Sequence, residues 1–212
     1  MATLIPSIAC LGVIGRNNNP LHIQIFPSYD PSTNTYIPAR TSLQFHLLLS
    51  STLDVFDLRA RRNAAAGVGL SGDFGLLHAV DDRLAAYGFE TNTGTKFVAV
   101  VDMRGRRVDG RAGHGGGAHG VGGLQGGGIA GGGGGAAAAA AAASSVGLRE
   151  GEMKVVFKAM QTAYIKLLQN PFFDPDEHSP LTGTGGKKIT SKKFTEDMRR
   201  IGENWGPGAT VL

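Results

Sequence analysis

The segment TSLQFHLLLSSTLDVFDLRARR (residues 41–62) has the periodicity of a helix, and what flanks it decides the fold. At about 100° per residue, Phe45, Leu48, Leu49, Thr52, Val55 and Phe56 fall into one arc, the stripe of a helix laid on a sheet. The opposite arc holds Leu43, Leu47, Asp54 and Leu58, where a surface helix is ordinarily polar. Apolar residues on two sides predict a helix covered twice, once by its own sheet and once by something else.

Upstream, Ile5 to Ile14 are β-prone and apolar on both faces, RNNNP (16–20) signals a turn, and LHIQIF (21–26) alternates. Leu21, Ile23 and Ile25 oppose His22 and Gln24, so the pair predicts an opening hairpin whose first strand is central. A polar loop is expected from Pro27 to about Arg40. Downstream come FGLLHAV (74–80), RLAAYGFET (83–91) and TKFVAVVD (95–102), joined by the turn-like DD and NTG. The last of these is continuously apolar and suits the sheet interior.

In REGEMKVVFKAMQTAYIKLLQ (149–169), Met153, Val156, Phe157, Met160, Tyr164, Leu167 and Leu168 form a helical stripe. NPFFDP ends that helix, because the residue before a proline avoids the α conformation. SKKFTEDMRRIGENW (191–205) predicts a last helix with Phe194, Met198, Ile201 and Trp205 on one side. The order is ββαβββαα, an α/β (α+β) sandwich around a mixed five-stranded sheet.

One segment contributes nothing to that core. Met103 to Gly147 includes GGGGGAAAAAAAASS (131–145) and has no aromatic residue. It cannot bury enough apolar surface to offset the ordering of its backbone. The chain therefore reads as a single domain, 1–212, with a disordered Gly/Ala-rich insertion at about 103–147 between strand 5 and helix 2. Lengthening a link costs only about 0.6 kcal/mol per doubling, so replacing 104–146 by a short Gly/Ser linker is expected to be tolerated.

The net charge is +4, concentrated in RGRRVDGR (104–111) and GKKITSKK (186–193), both expected in loops and read as solvated surface. Cys10 is the only cysteine, which excludes a disulfide framework and suits a reducing compartment. The N-terminal apolar run has no basic leader and falls short of the roughly 20 residues of a membrane span, so a soluble cytoplasmic protein is expected.

Motifs for chemistry fail on inspection. GVGLSG (67–72) has the letters of a dinucleotide fingerprint, but it follows a helix and precedes a strand, the reverse of what that site requires. LTGTGGKKIT puts Leu181 where a phosphate-binding loop needs its first glycine, and Lys188 where it needs Ser or Thr. His22, His46, His78, His114, His119 and His178 are scattered without ligand spacing, and Cys10 sits in a core-like strand. No catalytic residue, cofactor or metal is expected. Arg104, Arg106, Arg107 and Arg111 among glycines leave one other class open, a glycine/arginine-rich RNA-binding protein, although the aromatic residues that stack on bases are missing.

STLDVFD (51–57), YGFETNTGTKFVAVVD (87–102), QNPFFDP (169–175) and ITSKKF (189–194) followed by Met198 resemble the sedlin family of TRAPP vesicle-tethering subunits. KFVAVVD looks closer to the subunit 2-like branch than to sedlin itself. The resemblance spans 3–26, 41–102 and 148 to about 204. The chain departs from the family in Phe173, where a tyrosine is usual, in its long 27–40 loop and in the Gly/Ala tract. The resemblance implies a longin-like fold with one helix on one face of the sheet and two on the other. It also implies a non-catalytic scaffold in a Rab nucleotide-exchange complex, acting in ER–Golgi and intra-Golgi traffic. The implied partners are other TRAPP subunits: core small subunits, and a large TRAPP II subunit that this one would link to the core. Rab contact would be indirect, membrane association peripheral through the complex at Golgi and ER–Golgi membranes, and nucleic acid not involved.

Asp54 matches the family's aspartate in the first helix, ringed by Leu43, Leu47 and Leu58. Leucines would supply apolar area and the acid would fix register on a partner donor. The competing reading has the 27–40 loop covering this face. In QNPFFDP, where Asn170, Pro171 and Pro175 are read as structural together with Phe194 of ITSKKF, Phe172 and Phe173 are expected to cap the core beneath the last helix. The alternative is that one of them is displayed to a partner.

Overall fold

The computed structural model describes residues 3–66, 72–108, 148, 151–181 and 185–212. Its main sheet has five strands: β1 (Thr3–Ile14), β2 (Pro20–Ile25), β5 (Asp73–Ala79), β6 (Leu84–Glu90) and β7 (Lys96–Val108), in the order β2-β1-β7-β6-β5. The two continuously apolar strands, β1 and β7, lie side by side in the interior, as their composition demands. Every pairing is antiparallel, so the sheet is not mixed. Helix α1 (Ser42–Ala65) carries the chain from the β2 edge to the β5 edge, and the β5–β6–β7 meander then returns to meet β1 head to tail.

Because β-strand side chains alternate, β7 feeds two cores. Val98 and Val100 join Phe45, Leu49 and Phe56 of α1 on one face. Phe97, Ala99 and Val101 join Phe157, Met160, Phe194 and Met198 on the other, beneath α2 (Glu152–Leu168) and α4 (Lys192–Asn204). One helix thus packs on one face and two on the other, with the short α3 (Pro175–His178) between α2 and α4. Leu168, expected in the α2 stripe, is instead exposed, whereas Met153, Val156, Phe157, Met160, Tyr164 and Leu167 are buried as expected. Ser191 caps α4, its Oγ accepting from the Phe194 N–H. Gly202 is required there, since a Cβ would overlap the ring of Phe26.

Residues 27–40, expected as a loop, form a second, two-stranded sheet of β3 (Pro27–Asp30) and β4 (Thr35–Pro38). Asp30 Oδ1 closes its turn by accepting from the Ser32 N–H at 2.9 Å, and Asn34 takes the left-handed conformation with φ 52°. The hairpin is tied to the β7 side of the main sheet. Arg83 donates to the Tyr29 carbonyl, while Arg107 donates to Asn34 Oδ1 at 2.7 Å and lies over the Tyr29 ring.

The strand also runs further than expected: Met103 to Val108 belong to β7, with Ile5 opposite Arg106 and Leu4 opposite Arg107. Arg106 donates to the Glu203 carbonyl at 2.7 Å, so this part of the basic run is anchored rather than solvated. In the second run, the Ile189 N–H donates to the Leu21 carbonyl and Lys187 pairs with Glu177. Residues 109–147, with Arg111, His114 and His119, and residues 67–71 of GVGLSG lie outside the described residues. The excision expected to be harmless must therefore start after Val108. Replacing 109–147 with a short linker should leave the melting temperature within a few degrees of the parent. Starting at Arg104 should cost about 2–4 kcal/mol, several ladder hydrogen bonds at about 1 kcal/mol each. Thermal denaturation of both deletions checks this.

Candidate interaction face on the first helix

Thr41 starts α1 with a reciprocal cap: its Oγ1 accepts from the Gln44 N–H at 3.3 Å, and Gln44 Oε1 accepts from the Thr41 N–H at 2.9 Å. The helix is 24 residues long, about 36 Å at 1.5 Å per residue. Its inner side buries Phe45, Leu49, Thr52 and Phe56. The Thr52 hydroxyl does not break that stripe, because it donates to the Leu49 carbonyl at 2.7 Å. Leu48 and Val55 are half-buried at the margin.

The outer side stays open. Leu43 is 69% exposed, Leu47 62% and Leu58 50%. Asp54 is exposed between them, and its carboxylate has no hydrogen-bond or ion-pair partner among the described residues. The four positions run along about 22 Å of helix, with Ser50 and Ser51 keeping the middle low. The β3–β4 hairpin, a possible cover, engages Arg83 and Arg107 instead and leaves these leucines exposed. The arrangement offers apolar area at both ends and a carboxylate acceptor between.

QNPFFDP (169–175) divides differently from expectation. Phe172 is 94% exposed and does not cap the core. The Asn170 Oδ1 accepts from the Phe172 N–H at 3.1 Å and the Asn170 carbonyl from the Phe173 N–H at 3.0 Å, a tight turn that turns the first ring outward. Phe173 packs half-buried against the α2/α4 core, its ring 4.3 Å from that of His178. Pro171 is exposed in the turn, and Pro175 opens α3 behind the Asp174 cap. Phe194 is buried edge-on to His22 and Tyr164. Phe173→Ala should therefore cost about 1–3 kcal/mol and Phe172→Ala less than about 0.5 kcal/mol, to be read from urea denaturation.

The groups with nucleophilic or titratable character are placed otherwise. Cys10 is fully buried, and burial pushes its thiol far above the usual range, which removes it as a nucleophile. Burial likewise holds His22 below its ordinary value. Among the described residues no His, Cys, Asp or Glu group is arranged to hold a metal ion, and no helix is long and apolar enough to cross a membrane.

A five-stranded antiparallel sheet with one long helix on one face and a helical pair on the other defines a longin-like fold, here with its most distinctive surface on α1. Residues 13–204 match the Sedlin family, and the chain belongs to it. It is 24% identical over 196 residues to the trafficking protein particle complex subunit 2-like protein of Dictyostelium discoideum, covering 92% of this chain and 95% of that protein. The proteins of the same name from Bos taurus and Mus musculus are 25% and 26% identical over 189 residues, covering 87% of this chain and 89% of each.

Proposed function

We propose that this chain is a non-catalytic adaptor subunit of a TRAPP vesicle-tethering and Rab exchange complex. It joins core small subunits to a large TRAPP II subunit through the outer face of α1, and reaches Golgi and ER–Golgi membranes peripherally through the assembly. The observation carrying this reading is the row of three exposed leucines around an unpartnered Asp54, on a helix whose other side is fully engaged. The names of the relatives support the assembly. Covering a leucine that is half exposed or more adds about 1 kcal/mol, so three supply an anchor while Asp54 sets register. Arg106 and Arg107 are tied to Glu203 and to Asn34, which weighs against a free RNA-binding arginine cluster.

The test is affinity purification of the tagged protein from its own cells, with mass spectrometry of co-eluting chains, beside Asp54→Tyr. The substitution should leave the fold intact, since Asp54 is exposed, yet reduce recovery of the large subunit at least tenfold, about 1.4 kcal/mol. Equal recovery from both proteins would remove Asp54 from the interface.

A further inference from the structure

On the opposite side of the sheet from α1, the furrow between α2 and α4, walled at its Val155 end by Thr210, Val211 and Leu212, holds two cavities of about 340 and 280 Å³. Ala163, Lys166 and Asp197 line both, so the two are one continuous groove. It follows α2 from Val155 to Asn170, about 22 Å. Ala159 and Ala163 line it where larger residues would fill the space between the helices, and the floor beneath is the outer edge of the core residues Leu167, Phe194 and Ile201, each almost fully buried.

The rim is charged in one sense. Lys158 and Lys166 stand on α2, Lys193 and Arg200 on α4, all exposed and none within ion-pair distance of a carboxylate among the described residues, although Arg200 is near enough to join Arg199 in holding the Glu196 carboxyl below its usual range. Asp197 is the one acidic side chain among the lining residues. By contrast Arg199, the next residue to Arg200, is neutralised by Glu196 and Glu203 on α4 itself. Cations are thus left unpaired along the groove and paired away from it.

We infer that this groove docks an amphipathic acidic helix of a partner protein, its apolar stripe on the floor and its flanking carboxylates on the lysines and Arg200. The floor positions Ala159, Ala163 and Leu167 recur every four residues, the spacing that accepts apolar residues at i, i+3, i+4 and i+7 of a third helix. A helix of about 15 residues matches the length. This site is separate from the α1 face and does not rest on the function proposed above.

The test uses the intact protein and two dye-labelled synthetic helices with the same leucine stripe, one flanked by glutamates and one by lysines, in fluorescence anisotropy. The glutamate peptide should bind at least tenfold more tightly, weaken as salt rises, and lose that preference with Lys166→Glu/Arg200→Glu. Both substitutions fall on exposed side chains, and thermal melts verify that the variant folds. Equal binding of the two peptides, or no binding of either, overturns the proposal. So does sedimentation showing that the groove pairs two copies of this chain, or phosphatidylserine vesicles being captured through the same residues while the peptide is not.

Discussion

Phe56→Ala is expected to destabilise the isolated protein by about 3–5 kcal/mol, whereas Leu58→Ala, two positions further along α1, stays within about 0.5 kcal/mol. Phe56 is fully buried, meets Phe74 edge-on at a centroid distance of 5.1 Å, and sits on β6 where Gly88 leaves room for it. A Cβ at Gly88 would come 2.5 Å from that ring. Truncating the ring leaves a cavity between helix and sheet that neither can collapse to fill, because Leu49 and Leu77 hold them apart. Leu58 is 50% exposed and faces away. Urea denaturation of the two variants reads the difference. Comparable losses would mean that both sides of α1 are internal, and the face would be unavailable to a partner.

Arg83→Ala is expected to cost a similar 3–5 kcal/mol, through a different cause. Asp102, at the end of the apolar part of β7, is fully buried, and Arg83 Nε donates to both of its carboxylate oxygens at 2.8 Å. That hydrogen-bonded carboxylate in turn raises the guanidinium above its usual value. Without Arg83 the carboxylate keeps the Arg104 N–H but loses its counter-ion inside the protein. The Tyr29 carbonyl also loses its donor, so the β3–β4 hairpin loosens. Removing both charges in Arg83→Met/Asp102→Leu should regain part of the loss, since an apolar pair carries no desolvation penalty. A single substitution that leaves the melting temperature unchanged would contradict this account of the pair.

Much of the fold was legible because burial and period coincide. The stripes of α1, α2 and α4 lie on single faces, and β1 and β7 are apolar on both sides because helices cover both sides. The elements that were not legible are held by distant partners rather than by their own pattern. YDPSTNTYIP (29–38) has no apolar alternation, and its pairing depends on Arg83 and Arg107, 54 and 73 residues away along the chain from Tyr29 and Asn34. RGRRV continues β7 only because Thr3 to Ile5 of β1 are there to pair with. Phe172 shows a further limit: an apolar ring next to a core residue carries no mark of which way the turn will point it. The outer face of α1 was readable because leucines on a surface arc break the rule that period alone imposes. The α2/α4 groove was not, since its alanines and lysines taken one at a time are ordinary helix residues.

The most direct measurement of the central claim is photo-crosslinking in cells from a photoreactive residue at Leu47, with the same residue at Lys192, exposed on the opposite side of the sheet and outside the α2/α4 groove, as the control. The account predicts that position 47 yields an adduct with the large trafficking-complex subunit and that Asp54→Tyr abolishes it. An adduct with that subunit from position 192 alone, or one from position 47 that Asp54→Tyr leaves intact, would contradict it.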